Sequence, residues 1–138
     1  IVRISWVFGI NGSNFIKTML KVGREHDEVR VVYDQIGSPT YTADLAVLLC
    51  DMLVTEKYGI YHATNEGICS WADFTEEIFR QAGIDTRVKR VTTEEYGAKA
   101  PRPKNSRMSK ASLDAAGFNR LPDWKDALAR YLKELGEI

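Results

Sequence analysis

Acid–base, nucleophilic and phosphate-binding chemistry need particular residue types at particular spacings, and most such patterns are missing from this chain of 138 residues. No glycine is followed by another two positions on, so the G-x-G-x-x-G dinucleotide turn is absent, as are the P-loop, H-E-x-x-H and G-x-S-x-G. A tyrosine general acid supported by a lysine one helical turn later would read Tyr-x-x-x-Lys. The residues four after Tyr33, Tyr41, Tyr58, Tyr61, Tyr96 and Tyr131 are Gly37, Leu45, His62, Asn65, Ala100 and Leu135. None is lysine, so no catalytic residue is expected here. Cys50 and Cys69 stand 19 residues apart with no C-x-x-C, and with two histidines in the chain they show neither zinc-ligand spacing nor a disulfide framework; a lone His62 makes no metal site.

The remaining candidates suit binding. Gly9–Asn14 precedes an apolar-periodic stretch, so its backbone N–H groups could meet an anion at a helix start, with Lys17 beside them. The same residues also read as a plain capped loop with a solvated lysine. Trp6 ends a β-type run at a loop mouth, where an indole either stacks on a sugar or base or turns into the core. Arg102, Lys104 and Arg107 either pair with a diphosphate, arginine offering bidentate geometry, or form a solvated surface.

Composition narrows the partners. Nineteen basic against nineteen acidic side chains leave no net charge, hence no global field for nucleic acid or anionic lipid. The longest apolar stretch, Leu45 to Leu53, is broken by Asp51 and falls far short of the ~20 residues a spanning helix needs. Neither nucleic acid nor membrane is an expected partner. Cys50 and Cys69 read as reduced thiols of a cytoplasmic protein.

Periodicity then supplies the positioning elements. Ile1–Phe8 reads as one strand and Phe15–Leu20 as the start of a helix capped by Ser13 or Asn14. Glu28–Asp34 reads as a strand and Gln35–Thr40 as a loop. Thr42-Ala43-Asp44 opens a helix with Leu45, Leu48, Leu49, Met52 and Leu53 as its stripe. Gly59–Thr64 is a strand, and Ser70-Trp71-Ala72-Asp73 a capping box before a helix closed by Gly83. Trp71 and Trp124 fall on helix stripes and are expected in the core. Thr86–Val91 is a further strand, Ser109–Ala116 a short helix, and Pro122-Asp123-Trp124 opens the last helix, with Leu128, Tyr131, Leu132 and Leu135 on its stripe. The irregular stretch Tyr96–Arg107 is long enough to suggest a functional loop. Alternating strands and helices indicate an α/β class.

The wording of the chain also resembles a known family. Val2-Arg3-Ile4-Ser5-Trp6-Val7-Phe8-Gly9, the segment Asn14–Leu20, Asp34-Gln35-Ile36-Gly37-Ser38-Pro39-Thr40, Arg102-Pro103-Lys104-Asn105-Ser106 and Leu121-Pro122-Asp123-Trp124 resemble, in order, the C-terminal half of the dTDP-4-dehydrorhamnose reductases. These are extended short-chain dehydrogenases. The resemblance implies an α/β fold that is the C-terminal part of an extended Rossmann-type reductase: a substrate-binding lobe plus the last strands of the nucleotide-binding sheet. Residues 1–138 would form the nucleotide-sugar-binding domain. The glycine-rich loop and the Tyr/Lys pair would lie in an upstream Rossmann lobe, consistent with a chain opening in mid-strand, and the piece alone would be inactive.

It further implies reduction of the C4 ketone of dTDP-4-dehydro-L-rhamnose by NADP- or NAD-borne hydride for polysaccharide biosynthesis, with a dTDP-sugar as ligand and no cofactor held by this part. Oligomeric state stays open, a homodimer included. By position, the resemblance places Trp6, Asn14, Lys17, Gln35, Gly37, Pro39, Thr40, Arg102, Asn105 and Ser106 around the substrate, and Ser5 at the nicotinamide end. Phe8 stands where tyrosine is usual and carries no polar role; Lys104 and Arg107 remain surface residues. Two other readings share the fold: a non-catalytic regulatory or binding subunit, and another nucleotide-sugar epimerase or reductase.

Overall fold

The computed structural model describes residues 1–138, and its first departure from the sequence reading lies in the opening run. Val2–Arg3 (β1) and Val7–Phe8 (β2) are separate strands. Between them Trp6 has φ +48°, the one non-glycine residue in the left-handed region, a conformation costing an L-residue on the order of 1–2 kcal/mol. No glycine marks the break, so the apolar run reads as continuous. The break changes the strand's neighbours.

The chain continues through α1 (Phe15–Glu25), β3 (Glu28–Val32), β4 (Ile36–Gly37), β5 (Thr40–Tyr41), α2 (Thr42–Leu53), β6 (Tyr61–His62) and β7 (Cys69–Ser70). Then come α3 (Trp71–Ala82), β8 (Arg87–Val91), α4 (Thr93–Tyr96), α5 (Ala111–Ala116) and α6 (Trp124–Glu134). Strands pair two by two. β1 runs parallel to β6, β2 parallel to β5 and β3 parallel to β8, whereas β4 lies antiparallel to β7 with Ile36 opposite Ser70 and Gly37 opposite Cys69. The expected loop 35–40 therefore carries two short strands. The late irregular stretch also docks here: Ile36 N–H donates to Lys104 O (2.9 Å) and Ser106 N–H to Ile36 O (2.7 Å).

Local chemistry accounts for the helix ends. Asn14 caps α1 by accepting from Lys17 N–H (3.0 Å). Ser70 and Asp73 form the expected capping box at α3, and Gly83 closes that helix in the left-handed conformation. Asp123 caps α6, whose Trp124, Leu128, Tyr131 and Leu132 are buried as their spacing predicts. A larger core joins α1, α3 and α6 around Phe8, Phe74 and Tyr131; a smaller one holds Leu48, Tyr61, Ala63, Leu113 and Leu121. Phe8 is buried against Tyr41 and Tyr131, where a ring is wanted and a hydroxyl is not.

The α2 stripe needs correction. Only Leu48 is buried, Leu45 and Met52 are partly covered, and Leu49 and Leu53 face outward with Val47 and Val54. Leu53 is 83% and Val54 87% exposed. The helix is apolar around most of its circumference, so periodicity does not identify a single covered face.

A buried amide ties the two cores. Asn65 is fully buried; its Oδ1 accepts from Tyr41 N–H (2.8 Å), and its Nδ2 donates to Asp44 (2.8 Å) and Pro122 O (2.9 Å). Its own N–H donates to Pro39 O (3.1 Å). Asn65→Ala strands these buried partners, and unfolding in urea is expected to show a loss of roughly 2–4 kcal/mol.

Asp73 adds a pH dependence. Burial opposes its ionisation, but the Ser70 N–H and the Arg90 guanidinium outweigh that and hold the carboxyl below the ordinary range. A depressed folded value stabilises above the unfolded pKa and is lost as pH falls through the folded one. Asp73→Asn is therefore expected to lower stability at neutral pH, with the deficit shrinking below about pH 4 in melts taken across pH.

Candidate functional site

At the break between β1 and β2 the Trp6 indole lies on Trp71, ring centroids 3.8 Å apart and planes 21° off parallel. Trp71 is the first residue of α3, held by the Ser70–Asp73 box. Phe15, the first residue of α1, tilts against Trp71 at 4.7 Å. Gly37 comes close from β4: a Cβ there would sit 2.8 Å from Trp6 Cζ2 and 2.9 Å from Cε2. Backbone bonds pin the same turn, Thr40 N–H donating to Trp6 O (3.0 Å) and Thr40 Oγ to Ser5 O (2.7 Å).

A cavity of about 740 Å³ opens beside these rings, and nine of its fifteen lining residues are hydrophobic. Phe15, Met19 and Trp71 form one side, Val31 and Val32 of β3 another. Ser5, Gln35 and Ser106 supply neutral polar groups; Arg30 and Arg102 supply charge, and Tyr96, Ala98, Pro103 and Met108 cover the late-loop side. Mostly apolar walls with a few convergent polar groups characterise a small-molecule site.

Among the residues expected around a ligand, the cavity brings together Ser5, Trp6, Gln35, Arg102 and Ser106. The others serve the frame. Asn14 donates to Gly9 O (3.1 Å) and Tyr131 Oη (2.8 Å) as well as capping α1, and Lys17 Nζ donates to Ile10 O (2.6 Å) and Gly12 O (2.7 Å). The loop before α1 thus turns carbonyls toward Lys17 and is a capped loop in this structure. Gly37 makes room for Trp6. Pro39 and Thr40 are buried and hold the chain between β4 and β5. Asn105 is exposed, its Oδ1 accepting from Arg107 N–H (3.0 Å).

Trp71, expected in the core, is half-buried and lines the cavity, as do Phe15, read only as a helix start, and Tyr96, the first residue of the stretch read as a functional loop. The available signal was positional: Phe15 and Trp71 each follow a capping residue directly. Lys104 is exposed, as its surface reading expects, and its ammonium lies 3.0 Å from Glu94 and 3.6 Å from Asp34. The hydroxyl of Thr93, then its N–H and Lys104, hold the Asp34 carboxyl below its usual range. His62 is half-buried, Nδ1 3.1 Å from Ser109 O, and has no place in the cavity.

Residues 1–137 match the RmlD substrate binding domain. The chain belongs to that family. It is 50% identical over 134 residues to the spore coat polysaccharide biosynthesis protein SpsK of Bacillus subtilis, covering 97% of this chain and 47% of that protein. The dTDP-4-dehydrorhamnose reductase of Aggregatibacter actinomycetemcomitans is 40% identical, with 93% of this chain and 48% of that protein covered. Among solved structures, the dTDP-4-dehydrorhamnose reductase of Bacillus anthracis in complex with NADP superposes with a TM-score of 0.93 at 47% identity, over 96% of this chain and 47% of that one. A Clostridium acetobutylicum ortholog also gives 0.93, at 43% identity, over 98% and 48%. The chain spans about half the length of the relatives it matches.

The cavity depends on Gly37 for its shape. Gly37→Ala drives a methyl group into the Trp6 ring, and overpacking of this kind costs roughly 1–3 kcal/mol. Thermal melts of the variant are expected to fall accordingly, with the near-ultraviolet tryptophan signal altered.

Proposed function

We propose that this chain is the nucleotide-sugar-binding part of a dTDP-4-dehydrorhamnose reductase, acting in polysaccharide biosynthesis in the cytoplasm. The enzyme would reduce the C4 ketone of dTDP-4-dehydro-L-rhamnose to dTDP-L-rhamnose with NAD(P)H. The observation that carries this reading is the cavity beside the Trp6–Trp71 pair, with apolar walls and Arg102 on its rim. A sugar ring has apolar C–H faces that suit an indole, while a diphosphate suits a guanidinium that no carboxylate of this chain engages. The role of these residues is to bind and orient: stacking fixes the sugar plane, Arg102 fixes the diphosphate, and the apolar walls exclude water.

A dinucleotide does not fit the residues present. It needs a glycine-rich turn presenting N–H groups at a helix start, and the loop before α1 presents carbonyls to Lys17 instead. Ser5 offers one hydroxyl, already donating to Ser38 O (2.8 Å), as an edge contact to a nicotinamide. The hydride donor and the acid–base pair therefore belong to a separate Rossmann lobe. The exposed apolar face of α2 supports that division, as does the parallel pair β1–β6, since parallel strands are normally covered on both faces.

Calorimetric titration with dTDP-L-rhamnose tests the reading. One site is expected, weakened roughly tenfold to a hundredfold by Arg102→Ala, which removes a charge-assisted contact, and weakened also by Trp6→Ala. The chain by itself should oxidise no NADPH. Absence of binding to the unsubstituted protein, or NADPH turnover by this chain alone, overturns the proposal.

A further inference from the structure

Trp71 belongs to none of the motifs that carry the family resemblance, yet more of the cavity's geometry runs through it than through any polar lining residue. It stacks on Trp6 at 3.8 Å and receives Phe15 at 4.7 Å. Phe15 continues onto Phe74 at 5.5 Å, which meets Trp124 edge-on at 5.5 Å. The outer end of this row is the half-buried Trp6, whose backbone sits at φ +48°. The bonds from Thr40 hold the backbone on either side of the Trp6 Cα and leave the ring direction to side-chain contacts.

Two of those contacts come from one structural unit. β4 pairs with β7, so Gly37 and Trp71 stand at the two ends of one antiparallel pairing, and both touch the indole. Two capped helix starts complete the arrangement. Asn14 caps α1 and Ser70 caps α3, and the residue after each cap is an aromatic facing the other. Asn14 thereby reaches the cavity indirectly, through Phe15.

We propose that Trp71 is a positioning residue for the sugar-binding wall, setting the direction of the Trp6 indole so that its free surface faces the ligand. This rests on the dTDP-sugar reading above. Without a ring at position 71, Trp6 can swing toward the cavity, and the ligand must then reorder it on binding. With a ring there, the wall is pre-organised.

Two stacked indoles at this distance couple their electronic transitions and give a paired-sign circular dichroism band. Trp6→Phe and Trp71→Phe are both expected to abolish that band, whereas a separated arrangement would show none in the unsubstituted protein. In calorimetric titrations of the full chain with dTDP-L-rhamnose, Trp71→Leu is expected to weaken binding by roughly threefold to tenfold, the worth of an aromatic pair. Trp71→Phe and Trp71→Tyr should restore it to within about twofold. If Trp71→Leu fails to fold, Trp71→Met, unbranched and adaptable in packing, replaces it with the same expectation.

A purely structural Trp71 would lower the melting temperature in Leu or Met variants while leaving affinity unchanged, and that result overturns the proposal. So does a missing band in the unsubstituted protein. If the band is present but the unsubstituted protein binds no dTDP-sugar, the functional reading fails, and the ligand role of Trp71 fails with it, leaving the stack itself established.

Discussion

The left-handed turn at Trp6 is the constraint on which the rest of the molecule depends. Before it the chain runs beside β6, and after it beside β5. Val2 and Ile4, ahead of the turn, pack in the smaller core; Phe8, past it, is buried in the larger one. One residue thus divides the two cores and carries the ring presented at their junction. A straight strand would alternate its side chains between two faces and give Trp6 no reason to leave them. The unfavourable backbone conformation persists because neighbours over-determine it, and strain of this kind concentrates at ligand sites.

The junction is polar beneath its aromatic surface. Ser38, Thr40, Asn65 and Ser70 are all buried, and they fix short strands that could not hold register alone. Ser38 Oγ donates to Gly67 O (2.5 Å), Thr40 Oγ to Ser5 O, and Asn65 engages Tyr41, Asp44 and Pro122. Asp44 in turn is gripped by both terminal nitrogens of Arg130 at 2.8 Å, which brings α6 to the start of α2. Buried networks with every member paired specify one arrangement. Two-residue strands are sufficient here because side chains, more than ladders, set their positions.

Helices were legible in the sequence because their signals are local. Asn14, Ser70, Asp73, Gly83 and Asp123 do at their termini what their types predict. The strand break was not legible, since nothing in Ile4-Ser5-Trp6-Val7 distinguishes a left-handed tryptophan from an extended one. The α2 stripe misled for a different reason: a pattern says which residues are apolar, not what covers them. Residue type and loop position single out Trp6 and Arg102, and both line the cavity. Trp71 was hidden because an aromatic at the start of a helix stripe looks like core. A lysine beside a helix start looks available to an anion, but the Lys17 ammonium meets two carbonyls of its own loop and does not line this cavity.

The cavity and the late loop are joined by a chain of hydrogen bonds that neither sequence feature announces. Gln35 Nε2 donates to Thr93 Oγ (3.3 Å), Thr93 Oγ donates to Asp34 (2.6 Å), and Asp34 faces the Lys104 ammonium. Lys104 lies within the segment that carries Arg102 and Ser106 and that pairs by its backbone with Ile36. The amide of Gln35 is therefore oriented by the same carboxylate that anchors the loop bearing Arg102. A ligand drawing on both Gln35 and Arg102 meets groups whose positions are set together. The polar groups on this side are then organised by one partly buried hydroxyl–carboxylate pair, as the aromatic surface on the other side is organised by one pair of indoles.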